Sequence, residues 1–381
     1  MLYFDNAATT FPKPISVKSA VEEAFLYYGA NPGRSGHELA METAKKVFEA
    51  REKAADFFGL SEPENLVFTK NCTEALNIVL MSIGNEGGHF IISDLEHNSV
   101  LRPLFELKKR GIIDFSVAET FEGEPDKTVE SYKNLIRSDT RMLVATGASN
   151  VFGIKLPLEA IAKTAHEHGA LFLADMAQTA GSEHMDMAKM GVDFVCAPGH
   201  KGLLGPMGTG ILAAEKPAVL KPLLFGGTGS YSLLPSQPEG LPEMLESGTL
   251  NVPGICGLSA GIEKVIAEGE ENFREKEINF AKILYSELEK LDKITLFTKN
   301  PEKETHSAVI SFVMGDLNGE ETAELLSKNG VASRGGFHCA ALAHRKMGTE
   351  KRGTCRLSIG PMNTFDEVMR LIKIIHTLAK K

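Results

Sequence analysis

The feature that most constrains this chain is a sustained alternation of short apolar runs with amphipathic stretches over its first two-thirds. The apolar runs predict strands near Leu66–Lys70, His89–Ser93, Arg141–Thr146, Ala170–Asp175, Asp193–Ala197 and Thr209–Ala213. Between them, stretches such as Glu38–Phe58, Glu74–Ser82 and Leu158–His168 carry helical periodicity. Strand–helix–strand alternation implies a parallel sheet with helices on both faces. Such sheets bind ligands outside the carboxyl ends of their strands, so the residues just after each run are the ones to inspect.

A Gly- and Pro-rich stretch from Phe225 to Pro253 ends the alternation. Beyond it the pattern predicts a long helical segment, Ile255–Leu291, then strands near Ile294–Phe297 and Ala308–Val313. A helix over Glu320–Lys328, strands near Val331–Arg334 and Cys355–Ile359, and a last helix from Phe365 complete it. The expected organisation is a large α/β domain over 14–253. A smaller α+β domain is expected from 1–13 and 254–381.

The whole chain carries a net charge of −9. That argues against a general nucleic-acid binder, because phosphate neutralisation needs a basic face. No run of about 18 or more apolar residues marks a membrane span. The start, MLYFDNAATT, has neither the basic nor the apolar region of an export signal. A cytoplasmic location is therefore expected. The five cysteines, Cys72, Cys196, Cys256, Cys339 and Cys355, form no CxxC pair, so no metal site or redox pair is expected.

Three local patterns carry chemistry. Lys201 follows the apolar run Phe194-Val195-Cys196 inside APGHKGLLGPMGTG. Gly199, Gly202, Gly205, Gly208 and Gly210 around it are expected to let backbone approach a ligand closely. A lysine desolvated there has a lowered pKa and forms Schiff bases; the bland alternative is a solvated loop lysine. Asp175 ends an apolar strand in LFLADMAQTAG, where a carboxylate needs a charged partner or several donors. A protonated pyridine nitrogen would serve, and Gln178 could donate to a ring oxygen; helix capping is the bland alternative. In FTKNCTEALN a strand runs into a helix start, so Thr73 is a candidate phosphate ligand or simply an N-cap.

Taken together, these pieces resemble the class V branch of fold-type I pyridoxal-5′-phosphate (PLP) enzymes, and within it the cysteine desulfurase/selenocysteine lyase family. The resemblance runs through FDNAATT, TKNCTEALN, LEHNSV, ASNVFG, ADMAQTAG, GHKGLLGPMGTG, ESGTLN, SRGGFHCA and CRLSIGPMNT, nearly the whole chain. It implies the fold-type I architecture: a large domain with a mostly parallel sheet flanked by helices, plus a small C-terminal domain. It implies that Lys201 forms the Schiff base with PLP, Asp175 faces the ring nitrogen and Gln178 the phenolic oxygen. His97 would stack on the ring. Cys72, Thr73 and His200 would hold the phosphate, and Asn150 would sit beside ring and substrate. Arg356 would take the substrate carboxylate, with Arg334 the next candidate. Thr249 would reach the neighbouring subunit's phosphate in a homodimer.

Cys339 aligns with the family's nucleophile, on the short ordered loop of its second subgroup, with Arg334 and His338 expected to favour the thiolate. The reaction implied takes L-cysteine to alanine and leaves a persulfide on Cys339 for an acceptor protein or small thiol. Three departures stand out. Pro198 replaces a frequent phosphate-binding Ser, Asn71-Cys72-Thr73 replaces a Gly-Thr-Thr-like turn, and Phe337 replaces a frequent His. Rival readings are a selenocysteine lyase or other class V β-lyase, an aminotransferase, and a non-catalytic scaffold. Turnover of cysteine, a keto acid acceptor assay and bound PLP separate them in turn.

Overall fold

A computed structural model describes residues 1–33, 36–230 and 232–380. Its strands, in chain order, are β1 (Leu2–Tyr3), β2 (Leu66–Thr69), β3 (Gly88–Ser93), β4 (Ile113–Ala118), β5 (Thr140–Thr146), β6 (Leu171–Asp175), β7 (Phe194–Pro198) and β8 (Gly210–Ala214). They continue with β9 (Ile294–Leu296), β10 (Val309–Met314), β11 (Val331–Ala332), β12 (Arg334–Gly336) and β13 (Thr354–Ser358).

Seven strands form the large sheet in the order β2-β8-β7-β6-β5-β3-β4. Only β8 runs against its neighbours, β2 and β7; the other pairings are parallel. The sheet is thus the mostly parallel α/β layer expected. β4 is the strand that apolar-run reading misses: IDFSVA lies at the sheet edge and is buried only at its two ends. A second sheet, β12-β13-β10-β9, is wholly antiparallel, and β1 pairs with β11 in parallel.

Apolar side chains fill both faces of the large sheet. One face packs Phe58, Phe152, Phe172, Leu203 and Ile262. The other packs Leu76, Val79, Phe90, Phe194 and Leu212. A third cluster, with Phe4, Leu284, Phe312, Leu357 and Leu371, underlies the small sheet. Fully burying one such side chain contributes roughly 1.5–3 kcal/mol. The long helical segment expected over 255–291 is two helices, Val252–Glu268 and Glu270–Leu288, separated by Gly269 at φ 85°. The first belongs to the large core: Ile255, Leu258, Ile262 and Val265 are buried there, although they follow residue 253.

This layout gathers chain segments at one edge. β2, β3, β5, β6 and β7 run the same way, so their carboxyl ends deliver Asn71–Thr73, His97, Asn150, Asp175 and Lys201 to a common side. The small sheet brings Arg356 on β13, with Arg334 its register partner on β12.

Candidate active site

Lys201 is half-buried at the turn after β7. Burial, and then the positive charge of Arg356, lower its pKa to about 8, with Asp175 and Cys72 opposing. Four of the glycines around it pack against protein. A Cβ at Gly199 would meet Thr209, at Gly202 the Ala180 carbonyl, at Gly205 the Gly199 carbonyl and at Gly210 the Asn71 backbone. These four let the lysine turn pack closely on the surrounding protein, whereas a Cβ at Gly208, which has a positive φ of 79°, would meet nothing closer than the Asn251 side chain at 3.8 Å.

Asp175 is 2% exposed at the end of β6. Its Oδ1 accepts from the Ala177 N–H (2.9 Å) and the Cys72 thiol (3.6 Å). Burial raises its pKa, while Ala177 and the charge of Lys201 pull it down. Cys72 is a protonated donor here, because burial drives its pKa well up. Gln178 donates from Nε2 to the Ala7 carbonyl (3.2 Å).

Thr73 is not the cap of its helix. Asn71 is: its Oδ1 accepts from Glu74 N–H (2.9 Å), at the start of Cys72–Gly84. That frees the exposed Thr73 hydroxyl, which lies 2.8 Å from the Ser99 hydroxyl. The Ser99 hydroxyl lies 2.9 Å from His97 Nδ1, and Nδ1 accepts from the Ser99 N–H (3.1 Å). Burial, then Lys201, Arg102, Arg334 and Arg356, lower the His97 pKa to about 4, so its ring is neutral. His200 is likewise lowered to about 4 by burial and by Lys201 and Lys13. Its Nδ1 is buried without a partner among the described residues.

Arg356 is 2% exposed. Nη1 donates to the Asn150 carbonyl (2.7 Å) and Nη2 to Asp5 Oδ1 (2.8 Å). Asp5 escapes sequence reading as a site residue. The available signal is indirect: a buried arginine requires a counter-charge, but nothing in one dimension selects it. Asn150 donates from Nδ2 to the His338 carbonyl (2.7 Å), and its buried Oδ1 lacks a partner among the described residues.

Cys339 is exposed on the four-residue link between β12 and the helix Ala341–Lys346. Its carbonyl accepts from Asn98 N–H (2.8 Å), next to His97. Cys72, Cys196 and Cys355 are buried and Cys256 is half-buried. Of the positive or proton-accepting groups expected beside the thiol, His338 is neutral and its buried Nδ1 has no partner among the described residues. Burial and Arg356 lower its pKa to about 3, and its Nε2 donates to the Thr354 carbonyl (3.0 Å). Arg334 is exposed and makes no ion pair among the described residues, yet its charge reaches His97, Lys201 and Arg356.

Thr249 stands outside this group. It is exposed and lines a cleft of about 160 Å³ with Lys70, Glu74 and Asn251. Glu246 fixes its segment: the carboxylate takes a two-pronged contact from Arg51 (2.8 and 2.9 Å) and accepts from Phe68 N–H (2.7 Å).

A lysine, a buried carboxylate, a neutral histidine and a buried arginine thus converge beside an exposed cysteine. The aminotransferase class-V family matches residues 2–371. The chain belongs to that family. It is 33% identical to a probable cysteine desulfurase of Methanothermobacter thermautotrophicus, over 99% of this chain and 94% of that protein. It is also 33% identical to a cysteine desulfurase of Escherichia coli, over 98% of this chain and 92% of that one. The apo structure of a cysteine desulfurase from Thermococcus onnurineus NA1 superposes with TM-score 0.89 at 30% identity, covering 100% of this chain and 94% of that chain. No helix among the described residues is long and apolar enough to cross a membrane.

Proposed function

We propose that this protein is a PLP-dependent cysteine desulfurase that passes the sulfur of L-cysteine to Cys339 as a persulfide. The observation that carries the reading is the place of Cys339. It is the exposed cysteine of the five, and bonds from the Asn98 N–H to the Cys339 carbonyl and from the Asn150 side-chain amide to the His338 carbonyl tie its loop to the rim of the Lys201 site.

The residues fit the cofactor. His200 Nδ1 and Asn150 Oδ1 are buried polar atoms without partners among the described residues. Thr73 presents a hydroxyl at a helix N-terminus, where phosphate is favoured. Thr73, Cys72 and His200 would hold the phosphate, Asp175 the protonated ring nitrogen, Gln178 the ring oxygen and Lys201 the aldehyde carbon, with His97 over the ring. When bound, PLP supplies an electron sink for the α-carbon.

The chain's own groups do the rest. With its pKa near 8, the Lys201 amine is partly neutral around pH 7–8 and takes up the substrate's α-proton. Arg356 orients the substrate by its carboxylate, since a guanidinium fork matches that group. The Asn150 Nδ2 is engaged, so its free Oδ1 suits an N–H donor such as the substrate amine. Arg334 and Cys339 are exposed, which leaves the thiol open for sulfur to enter and leave.

The same reading carries cytoplasmic residence, an acceptor protein or small thiol, and a homodimer in which Thr249 reaches the neighbouring phosphate. Exposed Phe25, Leu26, Tyr27, Leu223, Leu224 and Phe225 give a second subunit apolar surface to cover. The test incubates PLP-loaded protein with L-cysteine and, in parallel, L-selenocysteine. Alanine should form, and one added sulfur should appear by mass spectrometry on the Cys339 peptide. Sulfur on Cys72 or Cys355 instead, or transfer of the amino group to a keto acid, would refute it.

A further inference from the structure

The Arg356 guanidinium holds a carboxylate of the chain itself. Asp5 Oδ1 lies 2.8 Å from Nη2 in an ion pair whose aspartate side chain is 22% exposed. Nη1 is engaged with the Asn150 carbonyl, and the buried Nε has no partner among the described residues. An amino acid's carboxylate arriving at this fork meets donors that Asp5 partly occupies and a charge that Asp5 partly cancels. The charges of Arg334 and Lys201 also bear on this arginine, and Asp5 is the carboxylate bonded to it that tempers attraction for anions here.

We propose that Asp5 competes with substrate and product carboxylates for Arg356 and thereby limits how tightly the site retains alanine. This rests on the reading that Arg356 receives the substrate carboxylate. Asp5 is a positioning residue: it acts on the amino acid through Arg356. Its effect falls on substrate and product alike, because both carry the same carboxylate. Loosening both eases release of alanine at the expense of a higher KM.

Asp5→Asn separates charge from orientation. The amide oxygen still accepts from Nη2, while the negative charge is gone. In the PLP-loaded protein, spectral titration with L-alanine should give binding on the order of tenfold tighter than wild type, the scale of one charge-assisted contact. KM for L-cysteine should fall in step. Binding of cysteamine, which has no carboxylate, should be unchanged, and a structural disturbance would not spare it. Asp5→Ser, which also keeps an acceptor, replaces Asn if that variant does not fold. Arg356→Gln is titrated alongside. If Arg356→Gln weakens alanine binding but Asp5→Asn leaves it equal or weaker, the proposal for Asp5 is overturned while Arg356 keeps its role. Equal shifts for alanine and cysteamine overturn it as well. If Arg356→Gln leaves alanine binding unchanged, the carboxylate lies elsewhere and both readings fall.

Discussion

His338→Ala should uncouple sulfur transfer from the carbon chemistry. His338 and Cys339 both sit in the left-handed region, at φ 49° and 56°. For residues with a Cβ this costs roughly 1–2 kcal/mol each. Three bonds hold the loop against that strain: Asn150 Nδ2 to the His338 carbonyl, Asn98 N–H to the Cys339 carbonyl, and His338 Nε2 to the Thr354 carbonyl. The imidazole also stacks on His344, with centroids 6.0 Å apart and planes at 20°. Truncation at this 6% exposed position leaves the Thr354 carbonyl without its imidazole donor. An unsatisfied buried group costs about 1–3 kcal/mol, so losing this bond removes support comparable to the strain it helps to offset. A lower denaturation midpoint is expected, with persulfide formation in a single turnover slowed at least tenfold. L-alanine should bind as in wild type. His338→Asn, which tolerates left-handed backbone and keeps an N–H donor, should recover part of the loss. A variant with wild-type persulfide kinetics and full stability would show that the ring does not hold the loop.

Lys201→Ala should abolish covalent retention of PLP: borohydride treatment should link the cofactor to the Lys201 peptide in wild type and to no peptide in the variant. Arg356→Lys should weaken L-alanine binding roughly tenfold to a hundredfold, because one ammonium cannot reproduce the fork that spans Asn150 and Asp5; PLP affinity, read by fluorescence titration, should change little. Glu96→Gln probes a buried carboxyl whose Oε1 accepts from the Ser93 hydroxyl and Thr146 N–H, and whose Oε2 is buried without a partner among the described residues. Burial raises its pKa to about 8, so its stabilising contribution is full below the unfolded value and is lost as pH rises toward 8. The Gln variant should therefore match wild type near pH 4.5 and be more stable at pH 8 by on the order of a few kcal/mol in denaturant titrations. An unchanged difference across that range would mean Glu96 is already ionised.

The large sheet was legible because its central strands are buried on both faces, so Leu171–Asp175 and Phe194–Pro198 read as unbroken apolar runs, and Leu66–Thr69 at one edge does so too because every position of it is buried. Edge strand Ile113–Ala118 carries Asp114 and Ser116 toward half-exposed surroundings and loses that signature. The helix break at Gly269 was hidden because helical periodicity continues on both sides of one residue. At the site, Lys201, Asp175 and Cys339 were readable as residue types that need special surroundings. Their partners were not. Pairing Arg356 with Asp5 spans 351 residues, and 50 acidic residues were available to make it. The neutral state of His338 likewise depends on burial and on Arg356, which only the packed structure reveals.

The segment Asp5–Lys13 explains why the small sheet and the lysine turn keep a common geometry. On one side it grips β13: Asp5 pairs with Arg356, Asn6 Nδ2 donates to the Ser358 carbonyl (3.0 Å), and the Ser358 hydroxyl accepts from Ala7 N–H (2.8 Å) while donating to the carbonyl of Phe4 just before the segment (3.3 Å). On the other side it grips the turn after β7. The His200 carbonyl accepts from Lys13 Nζ (2.6 Å), the Thr9 hydroxyl (3.1 Å) and Thr10 N–H (3.2 Å). Gln178 adds a bond to the Ala7 carbonyl. The separation of the Arg356 guanidinium and the Lys201 turn is therefore held by one short covalent strap. Error in that distance is costly, since a misplacement of about 1 Å at a reacting centre lowers rates on the order of a hundredfold. A strap bonded at both ends fixes it in the folded chain, while Cys339 stands on a separate loop; on the proposed reading that loop is left free to meet substrate and acceptor in turn.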